Sequence, residues 1–233
     1  VLSQLIGKYS LLPSIGQVFD VNNKNNAEII FAVHFNKEIV NEGHSYWYDI
    51  TNLTDESGQA EALVNCFTPG DTRKEMITYV KAENKAYLMT KFLDTKNVSF
   101  NQVGNDQILL RYADVLLMYA EALNELGYDA SEGSIALKQL NATRTRAGLT
   151  KLTAADVPTQ ESFRKAILDE RQKEFPYEGH RWFDLVRMGY AKSVLATQGL
   201  NIQDYQLLFP IPQTEIEKVG DSKILWQNPG YDK

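Results

Sequence analysis

The sequence predicts a mainly α-helical protein with small β elements and long irregular loops. Three observations predict it. Residues 108–127 read ILLRYADVLLMYAEALNELG, with apolar side chains recurring every three to four positions. Residues 134–148 and 159–188 carry further helical spacing between cap residues and glycines. The first hundred residues instead set short β-prone runs between polar turns.

Taken in order, Asn22, Asn23, Asn25 and Asn26 make a polar turn before AEIIFAVHF. Asp20, Asn22 and Asn26 are spaced like part of a calcium loop. Lys24, however, puts a cation where an acceptor is needed, and no glycine follows it, so an asparagine-rich turn is expected. Ile29, Ile30, Phe31, Ala32, Val33 and Phe35 predict a short buried strand. The next stretch, NEGHSYWYDI at 41–50, places Tyr46, Trp47 and Tyr48 in succession after a turn. Sugar C–H groups lie flat on aromatic faces, while phenol and indole tips reach hydroxyls. Asn41, Glu42, His44 and Asp49 could supply further hydroxyl partners, and Asn52 could join them. Two readings stand for Trp47 and its neighbours: an anchor packing the loop onto the helices, or a ligand contact. Pro69–Gly70 marks a turn, with Asp71 able to cap the element after it. Tyr79, Tyr87 and Phe92 suggest a hairpin, and residues 94–106 a polar loop in which Phe100 is a second candidate ligand contact.

Asp106 can cap the helix that follows, because its carboxylate accepts first-turn amides. Leu109, Tyr112, Ala113, Leu116, Ala120 and Leu123 form one face, and Gly127 can end the helix in the left-handed conformation. Ser134 caps the next helix, Ile135, Ala136, Leu137 and Leu140 supply its apolar positions, and Gly148 ends it. A short turn between two such helices gives an antiparallel hairpin. Its alternation of small and large residues suits a tetratricopeptide-like α-α superhelix.

Thr159, after Pro158, caps a third helix with Phe163, Ala166, Ile167 and Phe175 near one face. Glu170, Glu174 and Glu178 lie four apart, interleaved with Arg171, Arg181 and Arg187, and Asp184 precedes Arg187 by three. Exposed pairs at these spacings contribute about 0.2–0.5 kcal/mol each. Pro176 and Gly179 break the run, leaving a short helix near 178–188. Carboxylates four apart could suggest a glycosidase pair, but that chemistry needs a raised pKa and the surrounding arginines lower it. A structural ion network is expected, and no nucleophile–base–orienter set is evident. His180 reads as a packed, hydrogen-bonded residue, since the three histidines (34, 44 and 180) lack metal spacing. At the C-terminal end, the prolines of LFPIPQTEI make it extended. Thr214 with Glu217 suggests a capping box, and Trp226 and Tyr231 bracket an Asn-Pro-Gly turn in a tail expected to wrap back and dock.

The net charge of −6 argues against a nucleic-acid partner. There is no polybasic run for an anionic membrane and no apolar stretch of bilayer length. The lone Cys66 cannot form an internal disulfide. No catalytic residues, metal or cofactor are expected.

Five blocks in order, RYADVLLMYAEALNELG, ALKQLNATRTRAGL, ERQKEFPYEGHRWFDLVRMG, LFPIPQTEI and QNPGY at 227–231, and with them the opening YSLLPSIGQVFDVNNKNNAEIIFAVHF at 9–35, resemble the C-terminal half of SusD/RagB-like proteins. The resemblance covers almost the whole chain. It implies a surface lipoprotein of the Bacteroidota outer membrane that binds oligosaccharide or polysaccharide, or sometimes peptide, without catalysis. Its partner would be a SusC-like, TonB-dependent transporter. It also implies that an aromatic in the stretch after the EIIF strand stacks on sugar, making Trp47, Tyr46, Tyr48, Asn52 and Phe100 the candidate ligand-binding residues. Asp71 and Arg73 resemble a structural GDxR feature of the family and read as a loop clamp. Residues 1–105 would form a strand and loop insertion, 106–190 the helical scaffold, and 191–233 a C-terminal wrap. The family's N-terminal half, with its signal peptide and lipidated cysteine, has no counterpart here, so a fragment or a short member is expected, with any membrane attachment through a lipid anchor in the missing part. A helical protein–protein adaptor remains the alternative.

Overall fold

The computed structural model describes residues 1–44, 59–80, 86–92, 94, 103–129 and 131–231. They fall into two compact units, Val1–Gly179 and His180–Lys233. The protein is mainly α, a tetratricopeptide-like scaffold carrying small β elements. Among the described residues, no helix is long and apolar enough to cross a membrane.

In the first unit, β1 (Ile29–Val33) precedes α1 (Gln59–Asn65), the hairpin strands β2 (Ile77–Val80) and β3 (Ala86–Met89), and β4 (Gln107–Arg111). Helices α2 (Tyr112–Leu126), α3 (Ile135–Arg146) and α4 (Gln160–Glu174) follow and pack on one another. Ala113 and Ala120 on α2 are fully buried, so neighbouring backbones can approach closely. A core of Ile15, Val18, Phe19, Met76, Phe92 and Ile108 lies beside the scaffold. Tyr112, Val115 and Leu116 pack against Leu2, Leu5, Ile6 and Tyr9.

The expected hairpin is present, with Tyr79 opposite Tyr87, while Phe92 lies in the short turn of helix that follows it. Other expectations need correction. β1 pairs antiparallel with β4 in a two-stranded ribbon that leaves Phe31 and Val33 exposed, so the strand is half-exposed rather than buried. That pairing also turns Gln107–Arg111 into a strand. The partner strand overrides the helical spacing that began at Leu109. Asp106 therefore caps nothing, and α2 starts from Arg111. Gly127 closes α2 in an extended conformation, φ 171°, instead of the left-handed one.

Ser134 and Thr159 cap α3 and α4 as expected, the latter through reciprocal bonds with Ser162. Pro176 lacks the amide a helix needs, and α4 stops at Glu174. Gly148 closes α3 at φ +79°, where a Cβ would lie 3.0 Å from the Gly70 carbonyl. This close approach lets Thr72 N donate to Ala147 O at 3.0 Å, stitching the 68–76 loop to the end of α3.

The second unit holds α5 (Arg181–Arg187), α6 (Ala191–Thr197) and α7 (Gln213–Val219). α7 starts from Pro212, so Thr214 is not its cap. The LFPIP stretch is held extended by the tail of the same unit. Gln227 bonds both the amide and the carbonyl of Ile211 at 2.8 Å, Asn228 donates to Phe209 O, and the Tyr231 hydroxyl donates to Leu208 O. Tyr205 meets Tyr231 edge-on, and a Cβ on Gly230 would collide with its ring at 2.4 Å. Trp226, expected to dock, is 62% exposed.

Candidate functional site

The five residues singled out as ligand contacts, Trp47, Tyr46, Tyr48, Asn52 and Phe100, lie outside the described residues, as does Asp49. The structure does describe the roots from which their segments leave. His44 and Val103 form an antiparallel bridge, exchanging backbone hydrogen bonds of 3.2 and 3.0 Å. His44 Nε2 donates to the Asn105 carbonyl at 2.8 Å, and its ring packs edge-on against Phe35. That nitrogen is thus committed to the protein's own backbone. Asn41 adopts φ 68° in the turn between Asn36 and Glu42, whose backbones bond at 2.8 Å.

A collar of ion pairs surrounds these roots. Lys24 Nζ donates to Asp106 Oδ1 at 2.6 Å and to the Phe35 carbonyl at 2.5 Å. His34 Nδ1 donates to Asp106 Oδ2 at 2.7 Å, and Phe35 N to Oδ1 at 3.2 Å. Burial would raise the Asp106 carboxyl, but Lys24, His34 and the Phe35 amide together hold it below its ordinary value. Lys37 Nζ reaches both oxygens of buried Asp94, at 2.9 and 2.8 Å. Between these pairs lies a cleft of about 290 Å³, lined by residues from 21–24 and 35–38 with Asp94 and Gly104. The asparagine-rich turn beside it is as expected: Asp20 Oδ1 accepts from Asn22, and Asn26 donates to the Val18 and Asn23 carbonyls.

Behind α4 lies a second, denser ion lattice. Arg73 donates to Asp71 through Nε (2.9 Å) and Nη2 (2.8 Å), and through Nη1 to Glu170 at 2.7 Å and Glu174 at 3.1 Å. Arg111 forks onto Glu178 at 2.7 and 2.8 Å, and its Nη1 reaches Glu174 at 2.6 Å and Glu28 at 3.0 Å. Arg146 bonds Glu28 at 3.0 Å and also Glu174. Lys91 bonds Glu178 and the Pro176 carbonyl. The loop clamp of Asp71 and Arg73 is present, but it is one corner of a larger array. Glu170, Glu174 and Glu178 were expected to pair along their own helix surface. They turn inward instead, to partners 26 to 101 positions away, from Arg144 and Arg146 to Arg111 and Arg73. Arg171 likewise finds Asp114 at 2.6 Å, while Arg187 pairs locally with Asp184 as expected.

Electrostatics follow from burial. Desolvation alone would raise the Glu174 carboxyl, but Arg146, Arg111 and Arg73 outweigh it and hold the group well below the usual carboxylate range. Glu178 is depressed in the same way, through Arg111 and Lys91. Burial strips water from the Lys91 ammonium and lowers it to about 8, against the pull of Glu178. Carboxylates held ionised in this way cannot donate a proton near neutral pH, so Glu174 and Glu178 do not make a general acid. One sequence signal does point inward: Phe163, Ile167, Glu170 and Glu174 share a stripe of spacing four, three, four, placing the glutamates on the apolar face.

A model of the SusD family matches residues 73–204. SusD-like protein P2 of Formosa agariphila is 36% identical over 140 residues, 55% of this chain and 26% of that protein. SusD-like protein P25 of the same organism is 28% identical across 90% of this chain and 50% of its own length. The chain thus spans half or less of these curated relatives. Among solved structures, surface glycan-binding protein A from Bacteroides fluxus superposes with a TM-score of 0.76 at 28% identity, covering 99% of this chain and 57% of that one.

Proposed function

The chain belongs to the SusD family, and on that premise we propose that it captures an oligosaccharide or polysaccharide at the cell surface and passes it to a SusC-like, TonB-dependent transporter of the outer membrane. The observation that carries the reading is the likeness, over nearly the full chain, to a protein named for surface glycan binding. No reaction is part of the proposal, since the acidic triplet is consumed by arginines.

Recognition is assigned to Trp47, with Tyr46, Tyr48, Asn52 and Phe100. Ring faces stack on sugar and polar tips meet hydroxyls. Trp47 follows His44 by three positions and Phe100 precedes Val103 by three. Three residues reach at most about 11 Å, so one anchored bridge serves both segments. A flexible sugar loses conformational freedom on binding, which keeps affinity near micromolar or weaker, about −8 kcal/mol at most.

The test is affinity electrophoresis in gels containing laminarin, starch or xylan. Trp47→Ala is expected to abolish retardation in whichever gel retards the unaltered protein, with no fall in melting temperature. Retardation that persists would remove Trp47 from the site, and joint loss of binding and melting temperature would make it an anchor. A helical adaptor for a protein partner is the second reading, favoured by the exposed Phe183, Phe209 and Trp226 of the second unit. It predicts no retardation in any of these gels and a stable complex on copurification.

A further inference from the structure

We propose that the cleft within the collar is a subsite for one uncharged sugar unit of the bound chain, separate from the aromatic residues; this rests on the glycan reading above. Size is the first argument. At about 290 Å³ the cleft lies at the small end of the range of ligand pockets, about 300–1,000 Å³, which suits a single sugar unit better than a long segment of chain. Charge is the second. Among the described residues, the charged ones of the lining are Lys24, Lys37, Glu38 and Asp94, two of each sign, so these side chains give an anionic sugar no net attraction. An uncharged hydroxyl, which both donates and accepts, can accept from the part-exposed Lys24 and Lys37 ammonium groups and donate to the exposed Glu38 carboxylate.

Preorganisation is the third argument. Lys24 uses two of its three N–H groups on Asp106 and the Phe35 carbonyl, with its side chain 31% exposed. Lys37 is fixed on Asp94 and is 20% exposed. Both ammonium groups are already ordered, so a ligand hydroxyl joins them without freezing another long side chain. Location is the fourth. Asp94 and Gly104 flank in sequence the segment carrying Phe100, and residues 35–38 precede the turn to the His44 bridge, so the lining of the cleft belongs to the same stretches of chain as the candidate contacts.

The discriminating measurement is calorimetry with laminarihexaose against laminaribiose, and maltohexaose against maltose, on the full chain. A subsite adds affinity only for a sugar long enough to reach it. The hexasaccharide is therefore expected to bind about tenfold more tightly than its disaccharide. Asn36→Leu, which alters the rim and keeps both ion pairs, and Lys37→Met are each expected to weaken the hexasaccharide roughly fivefold, the loss of about one hydrogen bond. The disaccharide should change less than about twofold by the same reasoning, and neither affinity should respond to salt. Equal affinities for long and short sugars, or parallel losses in both, would remove the subsite and leave the glycan reading standing. If no sugar of the four binds the unaltered protein, both fall together. Should Lys37→Met unfold, Asn36→Leu decides alone.

Discussion

Two sets of ion pairs in the first unit use the same residue types in opposite ways. In the lattice behind α4, the Arg73 and Lys91 side chains have no exposure, and Glu174 is shared by three arginines. In the collar, Lys24, His34 and Lys37 keep part of their surface in solvent, and each meets one carboxylate among the described residues. A buried charge is tolerated only when surrounded by partners, because desolvation costs several kcal/mol per ion. Among the described residues the lattice is therefore enclosed, with the Arg146 Nε its one unsatisfied buried donor. The collar stays near water and can share its donors with a hydroxyl. Charge density alone is thus a poor guide to a binding site, and partner number and residual exposure separate the two.

The largest effect that could break this contrast is removal of the shared carboxylate. Glu174→Ala leaves Arg73, Arg111 and Arg146 facing one another around a hole. Breaking a buried pair typically costs about 3–5 kcal/mol, and urea unfolding should show a loss of that size. A loss under about 1 kcal/mol would mean the arginines find water, and the lattice is not closed. The same carboxylates set acid stability. The folded pKa values of Glu174 and Glu178 lie below the ordinary 4.5, so their contribution is complete above that pH and is lost as pH falls below it. A urea midpoint unchanged between pH 6 and pH 3 would count against the assignment.

How much of this was legible in the sequence depends on the range of each interaction. The Thr159 cap, the Pro176 stop and the hairpin around Tyr79 and Tyr87 are local, and each was readable from a few neighbouring residues. The β4 strand was not, because its pairing with Ile29–Val33 spans some eighty positions and overrides a helical pattern. The lattice was half legible. Glutamates on an apolar stripe signal inward charge, but nothing local names Glu28, Arg73, Arg111 or Arg146 as their partners. The cleft was illegible, since Lys24, Lys37 and Asp94 come from segments with no shared motif. The candidate aromatic residues were chosen from composition and resemblance, and the described structure reaches only their roots.

A smaller effect is expected in the collar. Asp106→Asn keeps a carbonyl oxygen for Lys24 and the Phe35 amide but removes the charge that all three donors share. Hydrogen bonds to a charged group contribute about 1.5–3 kcal/mol when buried. With Lys24 and His34 partly solvated, a loss near 1.5 kcal/mol is expected by the same scale, well under that for Glu174→Ala. Thermal melts of both variants test the ranking directly. A collar variant that destabilises as much as the lattice variant would erase the distinction between closed and open charge clusters.

The smallest expected effect concerns Lys91, the lattice cation with an adjustable proton. Its folded pKa is lowered to about 8 from 10.5, so between those values the unfolded chain binds more protons than the folded one. For this group alone, stability therefore rises as pH climbs from 8 to 10.5. Below pH 8 the penalty for burying the charge is fully present. Lys91→Met removes the penalty together with the bond to Glu178, which retains its two-pronged partner Arg111. The two changes oppose each other: removing one member of a buried pair is costly when it strands the other charge, and here Arg111 still pairs Glu178 while the cost of burying the Lys91 ammonium is gone. Stability at pH 7 should then move by less than about 1 kcal/mol, and the alkaline rise should vanish in urea titrations at pH 7, 8.5 and 10. A variant that keeps the full rise would shift its origin to another group, while one that loses several kcal/mol at pH 7 would show Lys91 to be as indispensable to the lattice as Glu174.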